Sequence, residues 1–288
     1  MSEKILIVGL GFLGSTIFKQ ATKFSLKPFG THIIDLDISN ITSIEKKIDD
    51  VKPDYIINCA ALTNLDQIEL NSISAYAVNA YGAKNLASVS YKKKIKFIHI
   101  STDSVFDGKC GLYKEEDMPN PINEYAKSKK MGEDFIREIS KEQIIVRTNF
   151  YGYNQNQKFL FNWIVKNLQQ KTSITGFHDV IFNPVEINNL SLMILELVHT
   201  EFFGTIHLSS DVPMSKFEFA ITIAKKLNFD TNLIEKGSIK EANFIAKRPL
   251  NTSLSNLLAK KILKTRPLPL KDWLDTDLIK TLSSSKLD

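Results

Sequence analysis

Hydrophobic and polar positions follow two different periods along the first half of the chain. Ile5 to Val8 is an unbroken apolar run that stops at Gly9, the pattern of a strand buried on both faces. Leu13, Ile17, Ala21 and Phe24 then recur near helical spacing. Leu26 to Gly30 reads as a short second strand. Thr42 with Glu45 reads as a capping box ahead of a helix whose inner face is Ile44, Ile48 and Val51. Tyr55 to Ala60 is another buried strand. From Ser72 to Tyr91, Tyr76, Ala80, Ala83 and Ala87 form a helical stripe. Lys92, Lys93 and Lys94 close it as a solvated helix end, where cations suit the free carbonyls. Phe97 to Ile100 and Ile144 to Arg147 are further strands. This alternation predicts an α/β chain, a doubly wound parallel sheet with helices on both faces.

Beyond Tyr151 the rhythm loosens. Phe159, Leu160, Trp163, Ile164 and Leu168 suggest one helix, and Ile187, Leu190, Ile194 and Leu197 another. Ser215 and Glu218 form a second capping box before Phe217, Ile221, Ala224 and Leu227. No repeat and no low-complexity linker divides the chain, and Ser283 to Ser285 reads as a frayed tail.

Composition narrows the function classes. A length of 288 residues corresponds to one large or two small domains, and 43 % apolar residues exclude a wholly disordered chain. The charge of +5 (37 basic minus 32 acidic residues) suits anionic small molecules. With no recognised reader motif beside that small surplus, no nucleic-acid partner is expected. The two cysteines, Cys59 and Cys110, belong to no CxxC pair, and the histidines lack ligand spacing, so no metal is expected. The N-terminal apolar run is too short for a signal peptide or a membrane span, and no other run approaches 18 apolar residues. A cytoplasmic protein without a membrane partner is expected.

Two motifs carry chemistry. Gly9-Leu10-Gly11-Phe12-Leu13-Gly14 is a GxGxxG between a strand and a helix. The first glycine makes the turn, the second admits a pyrophosphate, and the third lets helix pack on strand. Free amides at the helix start favour an anion. Tyr125 and Lys129 stand four residues apart and share a face if helical. A nearby ammonium favours the phenolate of such a tyrosine, which can exchange a proton with a carbonyl oxygen as hydride moves. Upstream, Thr102 lies where a parallel strand ends, the place where open α/β sheets bind ligands, and can hydrogen-bond that carbonyl.

Taken with these motifs, the chain resembles the extended short-chain dehydrogenase/reductases, and among them the dTDP-4-dehydrorhamnose reductase family. The resemblance runs in order through Asp54–Asp66 (DYIINCAALTNLD), Val78–Ala87 (VNAYGAKNLA), His99–Gly108 (HISTDSVFDG) and Pro119–Glu133 (PNPINEYAKSKKMGE). It continues in Arg147–Gly152 (RTNFYG), Phe182–Leu190 (FNPVEINNL), Arg248–Leu254 (RPLNTSL) and Pro267–Leu274 (PLPLKDWL). It implies a Rossmann domain of residues 1–150 plus about 181–203, and a substrate-binding domain of about 151–180 plus 204–288. It places the catalytic set on Thr102, Tyr125 and Lys129. Cofactor contacts fall on Gly9, Gly11, Phe12, Leu13, Gly14, Thr31, His32, Asp37, Ile38, Cys59, Ala60, Ala61, Thr63 and Asn79, with Tyr125 and Lys129. Substrate contacts fall on Asp103, Ser104, Asn149, Phe150 and Arg248.

The chain departs from the family pattern twice. Its glycine loop is one residue shorter than the usual GxxGxxG, and Ser104 stands where these reductases often have tyrosine. Related 4,6-dehydratases continue the Ser-Thr-Asp segment with a glutamate, which is absent here. The expected activity is NAD(P)H-dependent reduction of a nucleotide-linked 4-keto-6-deoxy sugar. The alternatives are a regulatory subunit similar to the methionine adenosyltransferase β subunit, and a nucleotide-sugar epimerase or dehydratase. Two readings of the cofactor stand. If Asp35 ends the second strand, its carboxylate holds a ribose diol and favours NAD. If the strand ends at Thr31-His32, Asp37-Ile38 takes the third-strand adenine position and NADP is preferred. A homodimer through surface helices is carried as an expectation.

Overall fold

A computed structural model describes residues 2–154 and 159–275. Six strands form its central sheet: β1 (Lys4–Val8), β2 (Lys27–Thr31), β3 (Tyr55–Asn58), β4 (Lys96–Thr102), β5 (Ile144–Thr148) and β6 (Gly204–Leu208). All pair in parallel, in the order β6-β5-β4-β3-β1-β2. The main helices are α1 (Phe12–Gln20), α2 (Ile41–Val51), α3 (Ala83–Lys92), α4 (Glu124–Ile139), α5 (Leu160–Gln169), α6 (Ile187–Val198) and α7 (Lys216–Lys226). The strand order reverses at β1, which lies between β2 and β3 and opens a crevice at its carboxyl end.

The unbroken apolar runs follow from this layering, because successive strand residues serve opposite faces. Ile5 and Ile7 pack with Leu13 and Ile17 of α1 and with Leu190 and Ile194 of α6. Leu6 and Val8 pack with Ile44 and Ile48 of α2 and with Leu86 of α3. A second core, with Phe161, Ile164, Phe182, Phe219, Ile223 and Trp273, joins α5 and α7 beyond the sheet.

The structure alters several expectations. β2 ends at Thr31, which settles its register in favour of the Thr31-His32 reading. No strand forms at Asp37-Ile38; that segment turns, and Ile38 enters the core. The cap of α2 is Asn40, whose Oδ1 accepts from Thr42 N (3.0 Å) and Ser43 N (3.2 Å). Thr42 therefore lies inside the helix, because Asn40, two residues earlier, satisfies the free amides. The stretch from Ser72 to Tyr91 is helical but contains a wider π segment, Tyr76–Gly82, ahead of α3. Ser215 does form a reciprocal capping box with Glu218.

The domain boundary near residue 203 needs correction. Gly204–Leu208 is the edge strand of the central sheet, paired from Ile144 to Thr148 of β5. Ala259 and Leu263 also pack into the first core. The short run GTIHL looks unremarkable alone; only the open edge of β5 makes it a sheet strand. Ser283 to Ser285 lie outside the described residues.

The position of the α2 cap is testable. Asn40→Ala is expected to cost about 0.5–2 kcal/mol, and Thr42→Ala much less, in urea unfolding followed by circular dichroism.

Candidate active site

The glycine loop follows β1 into α1. Gly9 has φ +88°, a conformation that glycine adopts without strain. A Cβ there would lie 2.6 Å from Ala60 N, so the loops after β1 and β3 touch. A Cβ on Gly14 would lie 2.1 Å from Gly9 O, whereas one on Gly11 would meet nothing within 4 Å. Gly9 and Gly14 thus close the turn, while Gly11 leaves its outer face open. Gly11 caps α1 with no side chain on its first amides. This cradle fits a dinucleotide pyrophosphate. Thr31 O accepts from both Gly9 N and Leu10 N, and the buried Thr31 hydroxyl has no partner among the described residues. The Asp35 carboxylate is turned onto its own loop, accepting from His32 N at 2.9 Å.

The sequence-derived cofactor residues separate on inspection. Leu13 is core, Cys59 packs against the first core, and Ile38 is core. Burial pushes the Cys59 thiol up to about 12. Phe12 stacks on Phe159 (centroids 5.0 Å apart) and meets Phe150 edge-on (6.4 Å). His32, Asp37 and Thr63 are exposed, and Ala60 and Ala61 half-buried, around the crevice. Asp37 accepts from Ser39, which holds its carboxyl below the usual range. Asn79 sits in the π segment; its Oδ1 accepts from Leu62 N (2.9 Å) and its amide donates to Leu62 O and Ser128 Oγ. It ties the loop after β3 to α4, and π segments recur at functional sites.

Tyr125 enters on the first turn of α4, capped by Asn123, and Thr102 ends β4. Burial raises the Tyr125 phenol to about 12; the Thr102 hydroxyl lowers it by hydrogen bonding and the Asp103 charge raises it. Tyr125 is therefore a protonated phenol at neutral pH. The Lys129 Nζ donates to Ile100 O (2.7 Å) and lies 3.2 Å from His99 Nε2. Burial lowers the Lys129 pKa to about 8, opposed by Glu133 and Cys59. Asn58 accepts from Ala60 N and aims its amide nitrogen at His99 Nδ1 (3.1 Å). With the amide oriented this way, the His99 proton sits on Nε2 and faces Lys129. That arrangement favours the uncharged amine, the same direction in which burial moves it.

Glu133 fixes α4 against the sheet. It is fully buried and binds Arg147 of β5 (2.8 Å), Arg137 (2.7 Å) and the Ser101 hydroxyl. Burial raises its pKa, but Arg147 and Arg137 outweigh this and hold it near 2. Sequence reasoning missed this residue, because its partner lies on a strand 14 residues away.

A cavity of about 960 Å³ opens beside Asp103, Ser104 and Asn149, with Trp163, Phe177, Phe182, Phe244, Lys216, Arg248 and Thr252 also on its wall. Asp103 accepts from Thr102, Ser104, Asn149 (2.9 Å) and Thr252 (2.7 Å). Arg248 pairs with Asp66 at 2.9 Å. Phe150 is not on this wall; it packs in the Phe12–Phe159 cluster. Lys216, absent from the sequence-derived set, is on it.

A parallel sheet with a reversal crevice, a glycine cradle and a Thr-Tyr-Lys set defines a dinucleotide-binding fold of the short-chain dehydrogenase/reductase type. Residues 3–283 match the family model of the RmlD substrate binding domain, and the chain belongs to that family. The dTDP-4-dehydrorhamnose reductase of Aggregatibacter actinomycetemcomitans is 31 % identical over 252 residues, covering 83 % of this chain and 84 % of that protein. The spore coat polysaccharide biosynthesis protein SpsK of Bacillus subtilis is 31 % identical over 240 residues, covering 80 % and 81 %. A crystal structure of dTDP-4-dehydrorhamnose reductase from Bacillus anthracis, in complex with NADP, superposes with a TM-score of 0.87. It is 32 % identical and covers 93 % of this chain and 96 % of its own.

Two predictions follow from the geometry. Gly11→Ala should fold normally yet weaken dinucleotide binding, whereas Gly14→Ala should lower the melting temperature; thermal melts with and without NADPH distinguish them. Glu133 has a depressed folded pKa, so its stabilisation is complete above pH about 4.5 and lost as pH falls towards 2. Glu133→Gln should cost about 3–5 kcal/mol at neutral pH, and its deficit should shrink through that window in urea titrations.

Proposed function

We propose that the protein reduces the keto group of a nucleotide-linked 4-keto-6-deoxy sugar with NADPH, as a dTDP-4-dehydrorhamnose reductase does. The observation that carries this reading is the buried Tyr125 phenol hydrogen-bonded with Thr102, adjoining the cavity wall at Asp103 and Ser104. When bound, the reduced nicotinamide supplies hydride to the sugar carbonyl carbon. The Thr102 hydroxyl orients the carbonyl oxygen, and the Tyr125 phenol donates its proton to that oxygen. The glycine cradle would hold the pyrophosphate, and Lys129 would hold the nicotinamide ribose. NADPH is favoured because β2 ends at Thr31, whose buried hydroxyl has no partner among the described residues, and the Asp35 carboxylate beyond it is engaged by His32 N.

Water elimination lacks its base. Ser104 follows Asp103 where a dehydratase would place a glutamate, and its hydroxyl donates to the Asp103 carboxylate. That carboxylate already accepts from four side chains. Net NADPH consumption on a nucleotide-linked keto-sugar, followed by absorbance and product chromatography, tests the reading. Tyr125→Phe should lose about 10²–10⁴-fold in turnover and keep its affinity for NADPH. NADPH should bind more tightly than NADH in fluorescence titration. Undiminished turnover of the variant, or sugar conversion without net nicotinamide consumption, would sink the proposal.

A further inference from the structure

The cavity wall carries two cations in unlike circumstances. Arg248 donates to Asp66 through Nη2 and lies over the Phe244 ring, 4.8 Å from its centroid; its Nη1 is buried without a partner among the described residues. Lys216 is the first residue of α7. Its Nζ lies 3.2 Å from the centroid of the Phe182 ring, and no carboxylate of the described residues comes within ion-pair distance. The helix start beneath it is already closed by the Ser215–Glu218 capping box, and the positive end of a helix disfavours a cation. Apolar surroundings push its pKa down to about 7, opposed by the Asp103 charge. A cation kept there costs free energy until an anion arrives.

Among the lining residues Asp103 is the one acid, and it lies outside ion-pair distance of Lys216. Trp163, Phe177 and Phe244 offer flat apolar faces, and Asp103 is engaged by its four donors. We propose that Lys216 is the residue that receives the diphosphate of the nucleotide-sugar. This rests on the nucleotide-sugar reading above. The sequence gives no hint of it, since Lys216 stands in an ordinary amphipathic helix start, 113 positions from Asp103 (216 minus 103).

The test measures binding of dTDP and of thymidine to wild type, Lys216→Met and Lys216→Arg by calorimetry, with NADPH as the folding control. Loss of one charge-assisted contact should weaken dTDP by ~10–100-fold in Lys216→Met, with thymidine and NADPH unchanged. Lys216→Arg should retain most of the affinity. Equal dTDP affinity in wild type and Lys216→Met would overturn the assignment of Lys216 while leaving the reductase reading intact. An equal loss for thymidine would also overturn it, since the side chain would then shape the base site. Failure of wild type to bind dTDP, UDP, GDP, CDP or ADP would overturn the nucleotide-sugar reading, and this inference with it.

Discussion

The buried Glu133 carboxylate is the constraint on which the site depends. Through Arg147 and Ser101 it fastens α4 to β5 and β4, and through Arg137 it is braced along its own helix. α4 carries Tyr125 and Lys129, and β4 carries Thr102. The proposed proton donor and the proposed carbonyl-orienting hydroxyl stand on separate elements and need their relative position held to a fraction of an ångström. A buried ion pair surrounded by further donors supplies that rigidity, although it adds less net stability than its Coulomb attraction suggests.

The same low-polarity interior treats each charged group according to its neighbours. Glu133 stays ionised because two guanidiniums face it. Asp103 is held by neutral donors drawn from β4, from Asn149 just after β5, and from Thr252, so it also joins the sheet end to the distant segment around residue 252. Lys129 and Lys216 have no carboxylate in contact among the described residues, and burial lowers both. One is held against the sheet by Ile100 O and His99. The other stands over a ring in the cavity. Their different settings fit different tasks, one beside the reacting centre and one towards an anionic ligand.

The cradle shows a similar division between packing and openness. Gly9 and Gly14 are glycines because backbone occupies the space of a side chain, whereas Gly11 is a glycine with open space beside it. Only the last is free to face a ligand. A motif of three identical letters thus contains two positions closed by packing and one left open.

The sequence by itself determined the layered α/β core, because strands buried on both faces must be continuously apolar and their helices one-sided. It also determined the glycine turn and the Tyr125–Lys129 spacing, since both are local backbone geometry. Capping was legible at Ser215, where donor and acceptor are both in the motif, and misplaced at α2, where Asn40 competes for the same amides. Only the tertiary structure decided that Gly204–Leu208 completes the sheet, that Glu133 meets Arg147, that Phe150 packs away from the cavity and that Lys216 lines it. Each of these depends on groups far apart in the chain coming together, and such contacts leave no periodic or spacing signal in a single sequence.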